Sequence, residues 1–208
     1  MRGNSVSRPR VIKNPCINTD EKNRTFVVCS YGGCGSSMLS NALRKYGNVV
    51  HSHARYPPQK LRIFTLTGLG GEISPEHLHK FKVIFIYKDP VKAIYSRFTD
   101  KQHLKHIGSN PYVTIPDFAH KKIDLYQLEA FYDNFVNDND RNYKIYCVKY
   151  EELFEKQDEL SKVLELPEPL CLTKKETNRQ RPHAQDLETV YKPLKDKMAA
   201  MPFIHISQ

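Results

Sequence analysis

The sequence predicts an α/β fold in which a mostly parallel central sheet is flanked by helices in three layers. Three short apolar runs predict strands, at residues 25–30, 82–87 and 143–150, because each is rich in Val, Ile, Phe and Tyr and is bounded by polar or turn residues. Segments with helical character separate these runs, and a glycine-rich turn follows the first of them. Such alternation of strands and helices is typical of a parallel sheet covered by helices.

The remaining elements are assigned from weaker patterns. A fourth apolar run, residues 61–68, ends in glycines, and residues 48–53 would place two histidines on one face if they form a strand. Helices are predicted at residues 36–46, 74–79, 91–102, 123–137, 151–166 and 185–198. Residues 101–122 show little periodicity, which is consistent with a lid, a binding loop or a disordered insertion.

The 208 residues suffice for one domain, which we place at residues 25–208, after a flexible basic arm at residues 1–24. The formal net charge of +9 favours anionic partners without choosing among them. The arm is either a solvated tail or a nucleic-acid arm, and we expect the tail. The sequence shows no signal peptide and no apolar run of membrane-spanning length, so we expect a cytoplasmic protein with no membrane span.

The strongest functional signal is the stretch "FVVCSYGGCGSSMLSNALRKYG", residues 26–47, which predicts a strand, a glycine turn and a helix. Its turn contains Gly32, Gly33, Cys34, Gly35, Ser36 and Ser37. Glycines permit positive φ angles and close approach of a ligand, and the free N–H groups of a helix start attract anions. The alternative is a serine-capped glycine turn without a ligand. The full Walker pattern with its lysine is absent, which argues against an ordinary ATPase or GTPase.

A second motif follows the predicted strand 82–87, in "KVIFIYKDPVKAIYSRF". Lys88 would lie at the carboxyl end of this strand, and Ser96 on the helix that starts near Pro90. Ligands of open α/β sheets bind beyond the carboxyl ends of the strands, so Lys88 and Ser96 would face the glycine loop and suit a second phosphate group. Alternatively, Lys88 belongs to a polar turn and Ser96 to a helix surface.

These stretches together resemble the sulfotransferases that use 3′-phosphoadenosine 5′-phosphosulfate (PAPS). "GGCGSSML" resembles the 5′-phosphosulfate loop of that family, "KDPVKAIYS" its 3′-phosphate signature, and "IYCVKYEELF" a strand-then-helix segment written K-Y-E-D-L. The matches follow the family order from Phe26 to Phe154. The resemblance implies a P-loop NTPase-like fold, transfer of a sulfuryl group from PAPS to a hydroxyl or amine, and release of PAP.

Two positions depart from the family pattern. Gly33 stands where family members have lysine or arginine, a cation that would stabilise charge in the transition state. Lys88 stands in place of an arginine, so the positive charge is kept and the bidentate fork is lost. A cation from elsewhere would have to replace the missing one, and the candidates are Lys13, Arg55, Arg179 and Arg181. The last two belong to "KKETNRQRPHAQ", which is either a basic loop that closes over the nucleotide or a solvated loop.

The resemblance also implies a general base, for which His51 and His53 in "VVHSHARYPP" are the candidates and Glu72 is the reserve. A structural role for both histidines is the alternative. An H-x-H pair is also typical of zinc sites, but further ligands are not visible, so no metal is expected. The five cysteines are scattered and include no C-x-x-C pair, which argues against a disulfide framework.

Three other functions remain open beside sulfuryl transfer. The chain could be a binding module that kept a pocket for a nucleotide or sulfated ligand after it lost its catalytic cation, or a small-molecule P-loop kinase. Nucleic-acid binding through the basic arm is the third, and we do not expect it. The acceptor would be a small molecule or a carbohydrate, and the sequence leaves its identity and the oligomeric state open.

Overall fold

A computed structural model of the chain describes residues 24–57, 61, 72–174 and 181–208. Within these residues a five-stranded sheet has the order β2-β1-β3-β4-β5. The first four strands are parallel, and β5 runs antiparallel to β4. The strands are β1 (Arg24–Cys29), β2 (Gly47–Ser52), β3 (Phe81–Tyr87), β4 (Ile145–Lys149) and β5 (Ile204–Ser207).

Helices flank this sheet, so the predicted α/β fold with a mostly parallel sheet is confirmed. The α-helices are α1 (Ser36–Leu43), α2 (Pro90–Arg97), α3 (Lys101–His106), α4 (Asp117–Lys121), α5 (Leu128–Val136), α6 (Gln157–Val163) and α7 (Ala184–Ala200). Two 3₁₀ helices lie at Pro75–Lys80 and Tyr150–Glu152. Among the described residues, no helix is both long enough and apolar enough to span a bilayer.

The core lies between β3 and the helices that cover it. Six of the seven β3 residues are buried, as expected of a strand covered on both faces. Phe85 of this strand stacks on Phe135 of α5 with ring centroids 4.4 Å apart, and Phe131 stacks on Phe135 at 5.6 Å. Burial of such rings supplies much of the apolar area that drives folding.

The three strong strand predictions are confirmed, because β1, β3 and β4 lie within one or two residues of the predicted ends. The conditional strand at residues 48–53 is β2, shifted by one residue. Of the run 61–68, only Leu61 is among the described residues. The antiparallel β5 was not predicted, because its four residues, "IHIS", are too few for a periodic signal.

Some helix predictions were too long. The predicted helix 91–102 is divided into α2 and α3, because the Asp100 carboxylate accepts hydrogen bonds from the N–H groups of Gln102 and His103 and starts a new helix. Residues 101–122, predicted as a loop, contain α3 and α4. The predicted helix 151–166 is a 3₁₀ turn followed by α6.

The strand directions position the candidate site. In the register of the sheet, Cys29 pairs with Phe85, and Tyr87 pairs with Lys149. β1, β3 and β4 therefore end at the same edge. The segments that follow them, which carry the three motifs of the sequence, leave the sheet side by side.

Candidate functional site

The loop between β1 and α1 has the backbone that its glycines predict. Gly32, Gly33 and Gly35 have φ angles of 94°, 70° and 79°. Residues with a Cβ are strained in this left-handed region, whereas glycine is not. The three glycines therefore allow the chain to turn from the strand into the helix within six residues, Ser30 to Gly35.

Gly33 brings the first two motifs into contact. A Cβ at this position would lie 2.6 Å from the backbone oxygen of Ala93 and 3.1 Å from the Cβ of Ser96, both on α2. The loop thus packs directly on the helix that carries Ser96. No side chain fits at Gly33 unless α2 moves, and this is the position where the family pattern has its cation.

The other two glycines pack against side chains from two further elements. A Cβ at Gly32 would lie 2.2 Å from Cε1 of His103 on α3, and a Cβ at Gly35 would lie 2.5 Å from Cε2 of Tyr150 after β4. The His103 Nε2–H also donates to the carbonyl oxygen of Tyr31, 3.0 Å away. The loop is therefore enclosed by α2, α3 and the end of β4.

The first turn of α1 offers N–H groups to a ligand. Gly35 is the N-cap and has no side chain to cap the helix, and the first turn contains no acidic residue. The first intrahelical bond runs from the Leu39 N–H to the Gly35 carbonyl, so the N–H groups of residues 36–38 precede the helical ladder. Ser37 is exposed, whereas Ser36 is only 4% exposed. With the helix dipole, this turn suits an anion.

Lys88 lies at the same edge, directly after β3. Its Nζ lies 4.6 Å from the centroid of the Tyr150 ring, the same ring that packs on Gly35. Burial lowers the pKa of Lys88, and the Glu151 carboxylate opposes that shift. A half-buried ammonium gains free energy when an anion replaces its lost hydration, so Lys88 is suited to bind one.

Among the described candidates for an additional cation, Arg181 contributes to lowering the Lys88 pKa through its positive charge, after the larger effects of burial and of Lys92. The Tyr95 hydroxyl of α2 donates to the Pro182 carbonyl, which holds this segment against the helix. Arg55 is excluded, since its guanidinium donates to the carbonyls of residues 107, 126 and 127 and to a serine hydroxyl. Lys13 and Arg179 lie outside the described residues.

Both predicted histidines contact the serines that flank the loop. His51 Nε2 lies 2.9 Å from the Ser36 Oγ, which accepts a hydrogen bond from the Ser30 hydroxyl. The His53 Nδ1–H donates to the Ser30 carbonyl oxygen at 2.8 Å, so its Nε2 is left as the proton acceptor. Burial lowers the pKa of His51, and it lowers that of His53 to about 4. Both rings are therefore neutral near pH 7.

Sequence reasoning missed two further histidines at this place. The rings of His103 and His106, both from α3, have centroids 5.3 and 5.9 Å from that of His53. Their position depends on how α3 packs, which local sequence does not reveal. Within the described ranges, no group of three or more His, Cys, Asp or Glu side chains is arranged to hold a metal ion.

Two candidate side chains are not positioned to act on a ligand. Cys34 is fully buried, its Sγ–H donates to the Gly32 carbonyl, and burial raises its pKa, so the thiol is a neutral part of the core. Only its backbone can face a ligand. Glu72 accepts a hydrogen bond from the Asn142 amide, three residues before β4 begins. It therefore lies at the opposite edge of the sheet, away from the loop.

Comparison of the chain with models of protein families, with curated proteins and with solved structures gives no match in any of the three.

Proposed function

We propose that this protein transfers a sulfuryl group from PAPS to a hydroxyl or amine acceptor, on a sulfotransferase-like variant of the P-loop fold. One observation carries the proposal. The two stretches that resemble the phosphate motifs of that family lie far apart in sequence, yet Gly33 of the first packs on Ser96 of the second. The Tyr150 ring also contacts both motifs, because Gly35 packs on it and the Lys88 Nζ lies over it.

The site offers separate groups to the two ends of such a nucleotide. The N–H groups of the first turn of α1 would bind the 5′-phosphosulfate, because they have no helical partner. Lys88 and Ser96 would bind the 3′-phosphate, with Lys88 as a point charge. Arg181, which precedes the Pro182 that accepts from Tyr95, would add positive charge.

The reaction would be a direct in-line displacement. The acceptor oxygen or nitrogen attacks the sulfur, the bond from sulfur to the phosphate oxygen breaks, and PAP leaves with that electron pair. The acceptor proton passes to an imidazole, for which His53 Nε2 or His51 is available in the neutral form. Fixed amides and the charges of Lys88 and Arg181 would stabilise the leaving group.

The closeness of α2 to Gly33 favours a second candidate function. Because no side chain fits between Gly33 and the Ala93 carbonyl, the loop cation of the family cannot return at this position without movement of α2. A protein with this loop could bind PAP or a sulfated ligand and perform no transfer. Binding without turnover over a broad acceptor panel would support this binding module.

Calorimetric titration with PAP tests the proposal, with ATP and Mg²⁺ as the comparison ligand. We expect PAP to bind, and a Lys88→Ala variant to bind it at least about tenfold more weakly, since hydrogen bonds to charged groups contribute roughly 1.5–3 kcal/mol. Lys144→Ala is the matched control, because Lys144 is exposed and lies before β4, at the other edge of the sheet.

Three outcomes would count against the proposal. Absence of PAP binding would overturn it, and so would equal losses in Lys88→Ala and Lys144→Ala. Tight Mg²⁺-dependent ATP binding would instead favour a small-molecule kinase. If PAP binds as expected, radiolabelled PAPS and an acceptor panel then separate the transferase from the binding module.

A further inference from the structure

Tyr31, the first residue of the glycine loop after Ser30, reaches across to the second motif. Its hydroxyl accepts a hydrogen bond from the Lys88 N–H at 3.0 Å and donates one to the Lys88 carbonyl oxygen. A single phenol thus satisfies both backbone groups of the residue that carries the positive charge of the second motif.

These two hydrogen bonds fix the direction in which the Lys88 side chain leaves the backbone. The N–H belongs to the peptide plane before the Lys88 Cα, and the carbonyl belongs to the plane after it. Each peptide unit is planar, so the orientations of the two planes determine φ and ψ at Lys88 and hence the direction of its Cα–Cβ bond. Lys88 lies between the end of β3 and the start of α2, where no regular ladder would otherwise hold it.

Tyr31 itself is held rigidly. Its side chain is fully buried, and its ring makes edge contacts with Phe85 and Phe131 at centroid distances of 6.2 and 5.9 Å. His103 donates to its carbonyl oxygen. The phenol therefore connects the glycine loop to Lys88 through a side chain that has little freedom of its own.

We propose that Tyr31 is a positioning residue that sets the specificity of the site for ligands with two phosphate groups over ligands with one. This inference rests on the proposed function, in which the loop binds the 5′ group and Lys88 the 3′-phosphate. Tyr31 would keep the two subsites at a fixed separation.

A fixed separation raises the effective concentration of Lys88 at the second phosphate group. Once the loop holds the 5′ group, the 3′-phosphate binds Lys88 as an intramolecular event, and its gain is greatest when Lys88 already points to the correct place. Without the phenol, Lys88 must be ordered on binding, and the second phosphate gains less. The loop N–H groups do not depend on Lys88, so a ligand with only a 5′-phosphate should be unaffected.

The test compares PAP with 5′-AMP as ligands of the wild type and of Tyr31→Phe. The variant keeps the buried ring and removes only the hydroxyl. We expect PAP affinity to fall about tenfold or more, by the loss of preorganised charged hydrogen bonds, and 5′-AMP affinity to change less than about twofold. Tyr126→Phe is the matched control, because Tyr126 is also buried and its hydroxyl donates to the Val113 carbonyl, away from the loop.

Amide hydrogen exchange in the ligand-free protein separates this inference from the proposed function. The Lys88 amide should exchange at least about tenfold faster in Tyr31→Phe than in Tyr126→Phe, and this expectation does not depend on the identity of the ligand. Unchanged exchange would overturn the positioning role. Equal losses of PAP and 5′-AMP would overturn the specificity role. If the wild type does not bind PAP, the proposed function fails and the specificity claim with it, while the exchange result still reports on the contact.

Discussion

At the scale of single residues, Gly33 marks the departure of this loop from the pattern it resembles. The same backbone angle occurs at Gly108, with φ 72° against 70°, but a Cβ at Gly108 would find its nearest neighbour at 3.6 Å rather than 2.6 Å. The two glycines thus separate the cost of backbone strain from the cost of steric overlap with α2.

We expect Gly108→Ala to lower the free energy of unfolding by about 1 kcal/mol, from the left-handed backbone alone. Gly33→Ala should cost at least about 1 kcal/mol more, because overpacking adds to the strain. Urea denaturation of both variants measures the difference. Equal losses would mean that α2 yields to a side chain at Gly33, and that the loop could regain a cation there.

The partly buried His53 predicts a loss of stability in acid. An unfolded histidine binds a proton at a pKa near 6.5, whereas the pKa of folded His53 is about 4. Between these values the unfolded chain holds more protons, so stability falls as pH drops from about 6.5 to about 4. At about 1.4 kcal/mol per pKa unit, His53 should contribute about 3 kcal/mol to this loss.

Unfolding free energies measured at several pH values between 7 and 4.5 test this. In a His53→Asn variant, whose amide N–H can still donate to the Ser30 carbonyl, the slope with pH should be shallower. A slope identical to that of the wild type would show that His53 is not the group responsible.

At the scale of elements, a strand or helix could be predicted from the sequence when the residues that determine it are neighbours in the chain. β3 was predictable because its apolar run, "FKVIFIY", is nearly continuous and ends before a proline. The break between α2 and α3 depends on the capping carboxylate of Asp100, which the apolar pattern did not include. β5 depends on pairing with β4, which is a contact distant in sequence.

Asp100 allows a test at this scale, because α3 carries the His103 side chain that packs on Gly32. Replacing Asp100 with Ala should lower the free energy of unfolding by about 1 kcal/mol through loss of the N-cap. Asp100→Asn should retain nearly all of it, since asparagine caps equally well. Thermal melting of the two variants, compared in one buffer, measures this, and equal losses would attribute the effect to the Asp100 charge and its contact with Arg97 instead.

In the candidate site, too, the residues whose place depends on nearby sequence were the predictable ones. Gly32, Gly33, Gly35 and Lys88 lie directly after predicted strands, so the sheet edge could be inferred for them from sequence. His103 and Tyr150 reach the loop from other elements, and only packing reveals them. Arg55 was wrongly included as a candidate cation. The sequence gives no sign that its guanidinium donates to backbone carbonyls.

At the scale of the whole molecule, the parallel direction of the strands determines where the candidate site lies. β1, β3 and β4 end at one edge, and this places the glycine loop, Lys88 and Tyr150 next to one another although they are scattered over more than half of the chain. The net charge of +9 adds a general attraction for anions.

The central claim is that these motifs form one site for a nucleotide with two phosphate groups. The most direct test is to record backbone amide spectra of the protein during titration with PAP. We predict that the resonances of residues 32–38, Lys88 and Ser96 shift together, with one common dissociation constant. Shifts confined to other surfaces, or none at saturating PAP, would contradict the account.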